Sequence, residues 1–335
     1  MPLVHHTPPP PSRKVEENTS LLVDSNTRMP SLPHPHRLLG LSMVAFASFL
    51  ISIMSACVKF EGSAGSLSSM ETVFWRCAIS YIYIVVLALF WRVDLVVPRE
   101  FHWDLTWRCI YGFVTCGTLF WTIKEMTLAD AHVLAFTSPI LTFFLGAWLL
   151  GEAIGAIEFG CAIVSLAGVV CVCQPAFLFG AGDLSASTMN PYAPWGGIVS
   201  AILIALTYVH LHKLAELHYV VVTHYFLLTS AAGAGLWVLF IEDKGFQLFA
   251  SSPAIVWAAF VGGTVGVVGQ LCLTKGFQIE KIGISSVIRY LDVVFAFTWD
   301  AVWLHEPIHV WSVVGATMII ACAAVIFLRK SRGQA

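Results

Sequence analysis

Charge is scarce in this chain. Asp, Glu, Lys and Arg make up 11% of its 335 residues against 58% hydrophobic residues, and the formal net charge is −2. Soluble domains carry roughly 25% charge. A chain this apolar has too little polar surface to cover itself in water, and with a mean hydropathy of +0.80 its solvent is lipid. The near-neutral balance excludes a broadly basic nucleic-acid binder. Metal and redox spacings are missing too. The nine cysteines include no CxxC pair, and Cys171 and Cys173, two apart, face away from each other on a helix. They read as small buried hydrophobes. The histidines form no HExxH set, so no metal site is expected. No nucleotide-binding motif, nucleophile–base pair or cofactor signature stands out, which argues against an enzyme and leaves a gradient or exchange as the driving force.

Residues 1–36 (MPLVHHTPPPPSRKVEENTSLLVDSNTRMPSLPHPH) lack apolar runs and are rich in Pro, His, Ser and charge. Such a segment buries too little surface to offset chain entropy, so a disordered tail is expected. It has no apolar h-region and is not a secretory signal. ENTSLL at 17–22 resembles an acidic dileucine sorting signal through Glu17, Leu21 and Leu22. A clathrin adaptor is the implied partner, and endosome, lysosome or vacuole the favoured membrane, with the plasma membrane as alternative.

From Arg37 onward apolar runs follow one another near 38–60, 69–91, 107–127, 130–150, 155–175, 195–214, 219–241, 254–277, 283–304 and 309–328. Each is about 20 residues, enough to cross roughly 30 Å of hydrocarbon as a helix. The expected fold is an all-α membrane protein of ten spans. Arg13, Lys14, Arg28, Arg37, Arg92, Arg99, Arg108, Arg329, Lys330 and Arg332 all fall on one side of an even-spanned chain, while the 176–194 connection has neither Lys nor Arg. Both termini are therefore expected in the cytosol, where the Asn18-Thr19-Ser20 sequon would meet no glycosylation.

An internal echo organises these spans. AWLLGE at 147–152 returns as AVWLHE at 301–306, an offset of 154 that also pairs Val133 with Val287, Phe143 with Phe297 and Gly112 with Gly266. The two runs close the fourth and ninth spans, each fourth in a set of five. Five is odd, so the second set enters the membrane inverted, as in secondary transporters with a site at the repeat interface. The boundaries are a tail (1–36), a first repeat (37–175), a non-cytosolic connection (176–194), a second repeat (195–328) and a basic cytosolic end (329–335). Glu152 and Glu306 then face opposite sides and read as helix-end anchors.

LADAHVLAFTSPILTFFLGAWLLGE (128–152), METVFWRC (70–77) and GQLCLTKGFQIEKIGISSVIRYLDVVFAFTWDAVWLHEP (269–307) resemble helices of the drug/metabolite transporter superfamily, EamA type, leaning towards solute carrier family 35 subgroup G. The resemblance spans roughly 37–328 and implies alternating access, with substrate held among spans one, three, four, six, eight and nine. It does not fix the substrate. The second repeat departs from the first with Asp292 and Val293 where Ser138 and Pro139 stand, and its ninth span has no Lys-Arg pair, which speaks against sugar-phosphate exchange.

Ionisable groups inside hydrocarbon are costly and mark candidate sites. Arg289 and Asp292 lie three apart on one helical face, either as an anion receptor with its resting partner or as a salt bridge locking two helices. Ser138 is Asp292's mirror position, and Thr137-Ser138-Pro139 is a mid-span proline that either frees a carbonyl for substrate or only kinks the helix. Lys124 and Lys275 either snorkel to the headgroups or line the same cavity as Trp121 and Gln270, one turn deeper. Arg76 is expected to pair with Glu71. His224 and His132 are candidates for proton coupling. Gly262, Gly263 and Gly266 read as a helix-crossing surface. The expected function is secondary transport of a small polar, anionic metabolite. A proton-coupled exporter of amphipathic compounds or amino acids and a transport-inactive scaffold are the rivals, and a second copy of the chain is a further candidate partner.

Overall fold

The computed structural model describes residues 38–63, 67–125, 128–153, 155–174, 192–303 and 310–332. The tail with Glu17, Leu21 and Leu22, most of the 176–194 connection and Glu306 lie outside the described residues, as do the side chains of Lys124 and His132.

The described residues hold two consecutive sets of α-helices. The first comprises α1 (Leu39–Ser63), α2 (Ser69–Phe90), α3 (His102–Glu125), α4 (Leu128–Ala135), α5 (Ser138–Leu150) and α6 (Ala156–Cys173). The second comprises α7 (Ala193–Lys213), α8 (Tyr219–Phe240), α9 (Pro253–Ile279), α10 (Ile282–Ile288), α11 (Leu291–Trp303) and α12 (Val310–Ser331). Among the described residues, nine stretches are long and apolar enough to cross a membrane. The third expected span, α3, falls short of that apolarity, since even its central stretch carries Arg108 with several threonines and glycines.

Helix ends follow local chemistry. Ser68 Oγ accepts the Glu71 N–H at 3.0 Å to open α2, as an N-cap serine does. Gly151 closes α5 at φ 68°, the left-handed region where a side chain is strained. The fourth expected span is not continuous but breaks at Phe136–Thr137 into α4 and α5, and the ninth breaks at Arg289–Tyr290 into α10 and α11. Pro139 therefore does not kink a running helix. It is the second residue of a new one, where a missing N–H costs nothing.

The most extensive contacts run between the sets and obey one exchange rule. The first helix of each set packs on the third of the other (α1 with α9, α7 with α3), second on second (α2 with α8) and fifth on fifth (α6 with α12). First also meets fourth both ways, α1 with α11 and α7 with α4 and α5. A twofold axis relating the sets is the simplest operator that produces this pattern. Tyr290 Oη donates to the Phe136 carbonyl at 3.0 Å across 154 residues, so the axis passes between the two breaks. On the fifth-helix pair, a Cβ at Gly168 would stand 2.8 Å from the Gly315 carbonyl, so backbones approach there as small residues allow.

One face carries both the start of α1 and the end of α12, since Glu280 touches Gly40 and binds Lys330 Nζ at 2.9 Å. On this terminal face Glu152 accepts the Ile282 N–H at 3.2 Å and lies 3.7 Å from His212. Glu158 pairs with Arg329 at 3.3 Å, and Asp104 with His210 at 2.7 Å. On the opposite face Glu71, fully buried, accepts from Gln247 N at 2.6 Å, Leu248 N at 2.8 Å and Trp75 Nε1 at 3.1 Å.

Candidate functional site

The two helix breaks place polar groups at the axis. In the second repeat α10 ends at Ile288, and the backbone turns through Arg289 and Tyr290 before Leu291 starts α11. Arg289 Nη2 donates to Asp292 Oδ2 at 3.1 Å, with both side chains nearly buried. Tyr208 of α7 lies within interaction range of Arg289. The guanidinium Nε and Nη1 and the Asp292 Oδ1 find no hydrogen-bond partner. An ion pair inside hydrocarbon is tolerated only when its remaining donors and acceptors are met, and here three are left over. Tyr208 stacks on Phe277 of α9, ring centroids 4.1 Å apart, which fixes its hydroxyl.

In the first repeat the equivalent break holds Thr137 and Ser138. Thr137 Oγ1 donates to the Leu134 carbonyl at 2.7 Å, so its hydroxyl is spent on its own turn. Ser138 is buried. The Tyr290–Phe136 bond sets these residues against the Arg289–Asp292 break, and Ser286 Oγ reaches the Pro139 carbonyl at 3.4 Å. Those four predicted residues share the axis.

The other predicted residues are spread apart. The Lys275 ammonium lies 5.6 Å above the Tyr219 ring, towards the terminal face. Trp121, 40% exposed, fits against Gly196 at the opposite end of α7. Gln270 is partly buried on α9 between these levels. His224 is buried between Tyr81 (5.2 Å) and Tyr225 (5.1 Å), its Nδ1 without a partner.

Two arginines depart from expectation. Arg76 does not pair with Glu71, which is occupied by the 247–248 backbone. Its guanidinium meets Met54 Sδ at 3.6 Å and Cys116 Sγ at 4.0 Å, within charge range of Glu61. Arg108, counted above among the interfacial charges, is 3% exposed and lies 4.2 Å over the Phe226 ring. The spacing that could have revealed it is Gly112, one turn further on, whose missing side chain makes room for the guanidinium: a Cβ there would stand 2.7 Å from Arg108 Nη1. Tyr208 and Tyr290 carried no sequence signal beyond Tyr290 standing 154 residues from Phe136. No group of three or more His, Cys, Asp or Glu suited to a metal occurs among the described residues.

Comparison with known proteins agrees with this architecture. The model of the EamA-like transporter family matches twice, at residues 38–174 and 192–328. A probable transport protein of Saccharomyces cerevisiae is 28% identical over 319 residues, covering 88% of this chain and 90% of its own. Human solute carrier family 35 member G1 is 26% identical over 298 residues, covering 87% and 80%. The pseudopaline exporter CntI of Pseudomonas aeruginosa is 29% identical over 295 residues, covering 87% and 97%. A crystal structure 18% identical in sequence superposes with a TM-score of 0.72, covering 86% of this chain and 98% of that one, which shows a shared fold. With both repeats matched and the exchange-symmetric packing between them, the chain belongs to the EamA-like transporter family.

Proposed function

We propose that the protein is a secondary transporter or exchanger that moves a small anionic metabolite by alternating access. Access alternates as the two interlocked repeats rearrange against each other about the axis between Phe136 and Tyr290. The observation that carries this reading is the Arg289–Asp292 pair, buried at the second-repeat break with Arg289 Nε and Nη1 unpaired. A structural salt bridge closes its own hydrogen bonds. A receptor keeps donors free for a ligand that displaces its resting partner. Ser138 on the mirrored break supplies the polar group opposite, beside Thr137, whose hydroxyl is held by its own turn. The arrangement of Lys and Arg supports both termini on the cytosolic side of an endosomal, lysosomal, vacuolar or plasma membrane.

The test is thermal stabilisation of the purified protein against a metabolite library, beside Arg289→Ala. A ligand that binds the folded state raises its Tm. The expected result is a shift from anions that disappears in the variant. Equal shifts in variant and wild type would remove Arg289 from the site.

One observation favours a second reading, proton-coupled export of an amphipathic compound. His224 is buried with an unpartnered Nδ1, and an exporter of pseudopaline is among the similar proteins. That reading expects flux to depend on pH through His224 and to survive Arg289→Ala.

A further inference from the structure

Arg108 is the most exacting demand the structure makes on its surroundings. The side chain starts six residues into α3, close enough to the terminal face to snorkel back to water. It runs the other way. Its Nη1 lies beside Gly112, one turn further from the terminal face and inside the apolar run that opens near residue 107. The cation is buried, its Nε and Nη1 have no hydrogen-bond partner, and no described carboxylate lies within salt-bridge distance of it. Asp104, one turn back on the same face, is engaged by His210 and Lys213 instead. The Phe226 ring covers one face of the guanidinium, but a ring face repays only part of the hydration a buried guanidinium gives up.

Cys109, Tyr208, Cys116 and His210 lie within charge range of this guanidinium. Tyr208 also lies within interaction range of Arg289. Two guanidiniums thus lie within charge range of one buried tyrosine, Arg108 on α3 of the first repeat and Arg289 at the α10–α11 break of the second. Only one of them has a carboxylate. Arg76 is in a different position, since the charge of Glu61 already faces it.

We infer that the transported substrate carries two acidic groups, one received by Arg108 and the other by Arg289 on either side of the Tyr208 hydroxyl. This rests on the anion-transporter reading and narrows it to dianions such as dicarboxylates. A monoanion satisfies Arg289 by displacing Asp292 but leaves Arg108 as it was. A diacid meets both and draws on donors from both repeats, so its binding senses how the repeats sit against each other.

The experiment measures Tm of the full-length protein with butyrate, succinate, pentanoate and glutarate, with phosphate and pyrophosphate alongside, for wild type, Arg108→Gln, Arg108→Met and Arg289→Ala. In wild type the diacids are expected to stabilise more than their matched monoacids. In Arg108→Gln apparent diacid affinity should fall about tenfold or more, to the monoacid level, as loss of a hydrogen bond to a charged group implies. Without ligand, Arg108→Met should match or exceed the wild-type Tm, because an unpaired buried charge has been removed. A purely structural Arg108, clamped on Phe226, would give the opposite: a lower ligand-free Tm and an unchanged diacid preference, which overturns the inference. If anions stabilise wild type through Arg289 with no preference for two charges, the transporter reading stands and the diacid inference falls. No shift from any of the six anions sinks both.

Discussion

At the scale of single residues, burial of polar groups sorts anchors from receptors. Glu71 is an anchor: one carboxylate oxygen gathers two backbone N–H groups and an indole N–H, tying α2 to the 247–248 turn of the other repeat. Glu71→Ala leaves those donors buried and unpaired, and should cost about 3 kcal/mol by the usual penalty for orphaned groups. Glu71→Gln keeps an acceptor oxygen and should cost far less, and a comparison of Tm in detergent checks the difference. Arg108 is the contrary case, and Gly112 positions it. Gly112→Ala sets a Cβ 2.6 Å from the Phe226 ring and 2.7 Å from Arg108 Nη1, so something must shift. The expected outcome is weaker diacid binding in a chain that keeps every charge, read from a ligand titration of Tm beside Arg108→Gln. Little of this was legible in the sequence. Arg289 and Asp292 announced themselves by being charged and three apart inside an apolar run. Arg108 sits at the edge of such a run, where an arginine that snorkels and one that dives look alike until the fold shows which way it points.

At the scale of elements, ends and breaks matter more than the apolar stretches between them. The spans were legible because lipid demands about 20 apolar residues per helix. The breaks at Phe136–Thr137 and Arg289–Tyr290 were not, since each lies inside a stretch whose length and mean apolarity fit one continuous span. Pro139 marks the first. In the second, only the symmetry of the repeat points to Tyr290. The turn between α7 and α8 offers an element-scale prediction. His218 Nδ1 accepts the Val220 N–H at 3.4 Å and caps α8. Burial, with the charge of Lys275 added, holds this imidazole below its ordinary range. A base whose pKa is depressed by folding contributes stability above its unfolded value, and that contribution is lost as pH falls through the folded one. Acidification from pH 7 through the ordinary imidazole value near 6.5 and below should therefore lower Tm, as protonation removes the cap. His218→Asn keeps a capping acceptor and does not titrate, so its Tm should fall less over that interval. Parallel curves for both chains would assign the acid sensitivity to another group.

At the scale of the whole molecule, the repeat offset of 154 residues is the sequence's strongest statement, and the packing explains why it survived. Each helix of one set finds its main partner in the other: α1 on α9, α3 on α7, α2 on α8 and α6 on α12. Three ion pairs of the terminal face also join the sets, Asp104 with His210, Glu152 with His212 and Glu158 with Arg329. A helix whose apolar and small-residue faces are matched to a partner in the other set leaves little to hold its own set together. The two halves should then behave as one cooperative unit, although they are joined by a single connection. A protease site inserted within residues 176–191 of the full chain tests this directly. After cleavage the fragments should co-elute in mild detergent with a Tm close to that of the intact chain, because the interfaces that stabilise each half lie across the cut. Separation into two folded five-helix fragments would mean that each repeat carries its own core. Rocking would then be a motion between independent bodies, rather than a rearrangement within one interlocked set of helices about the Phe136–Tyr290 axis.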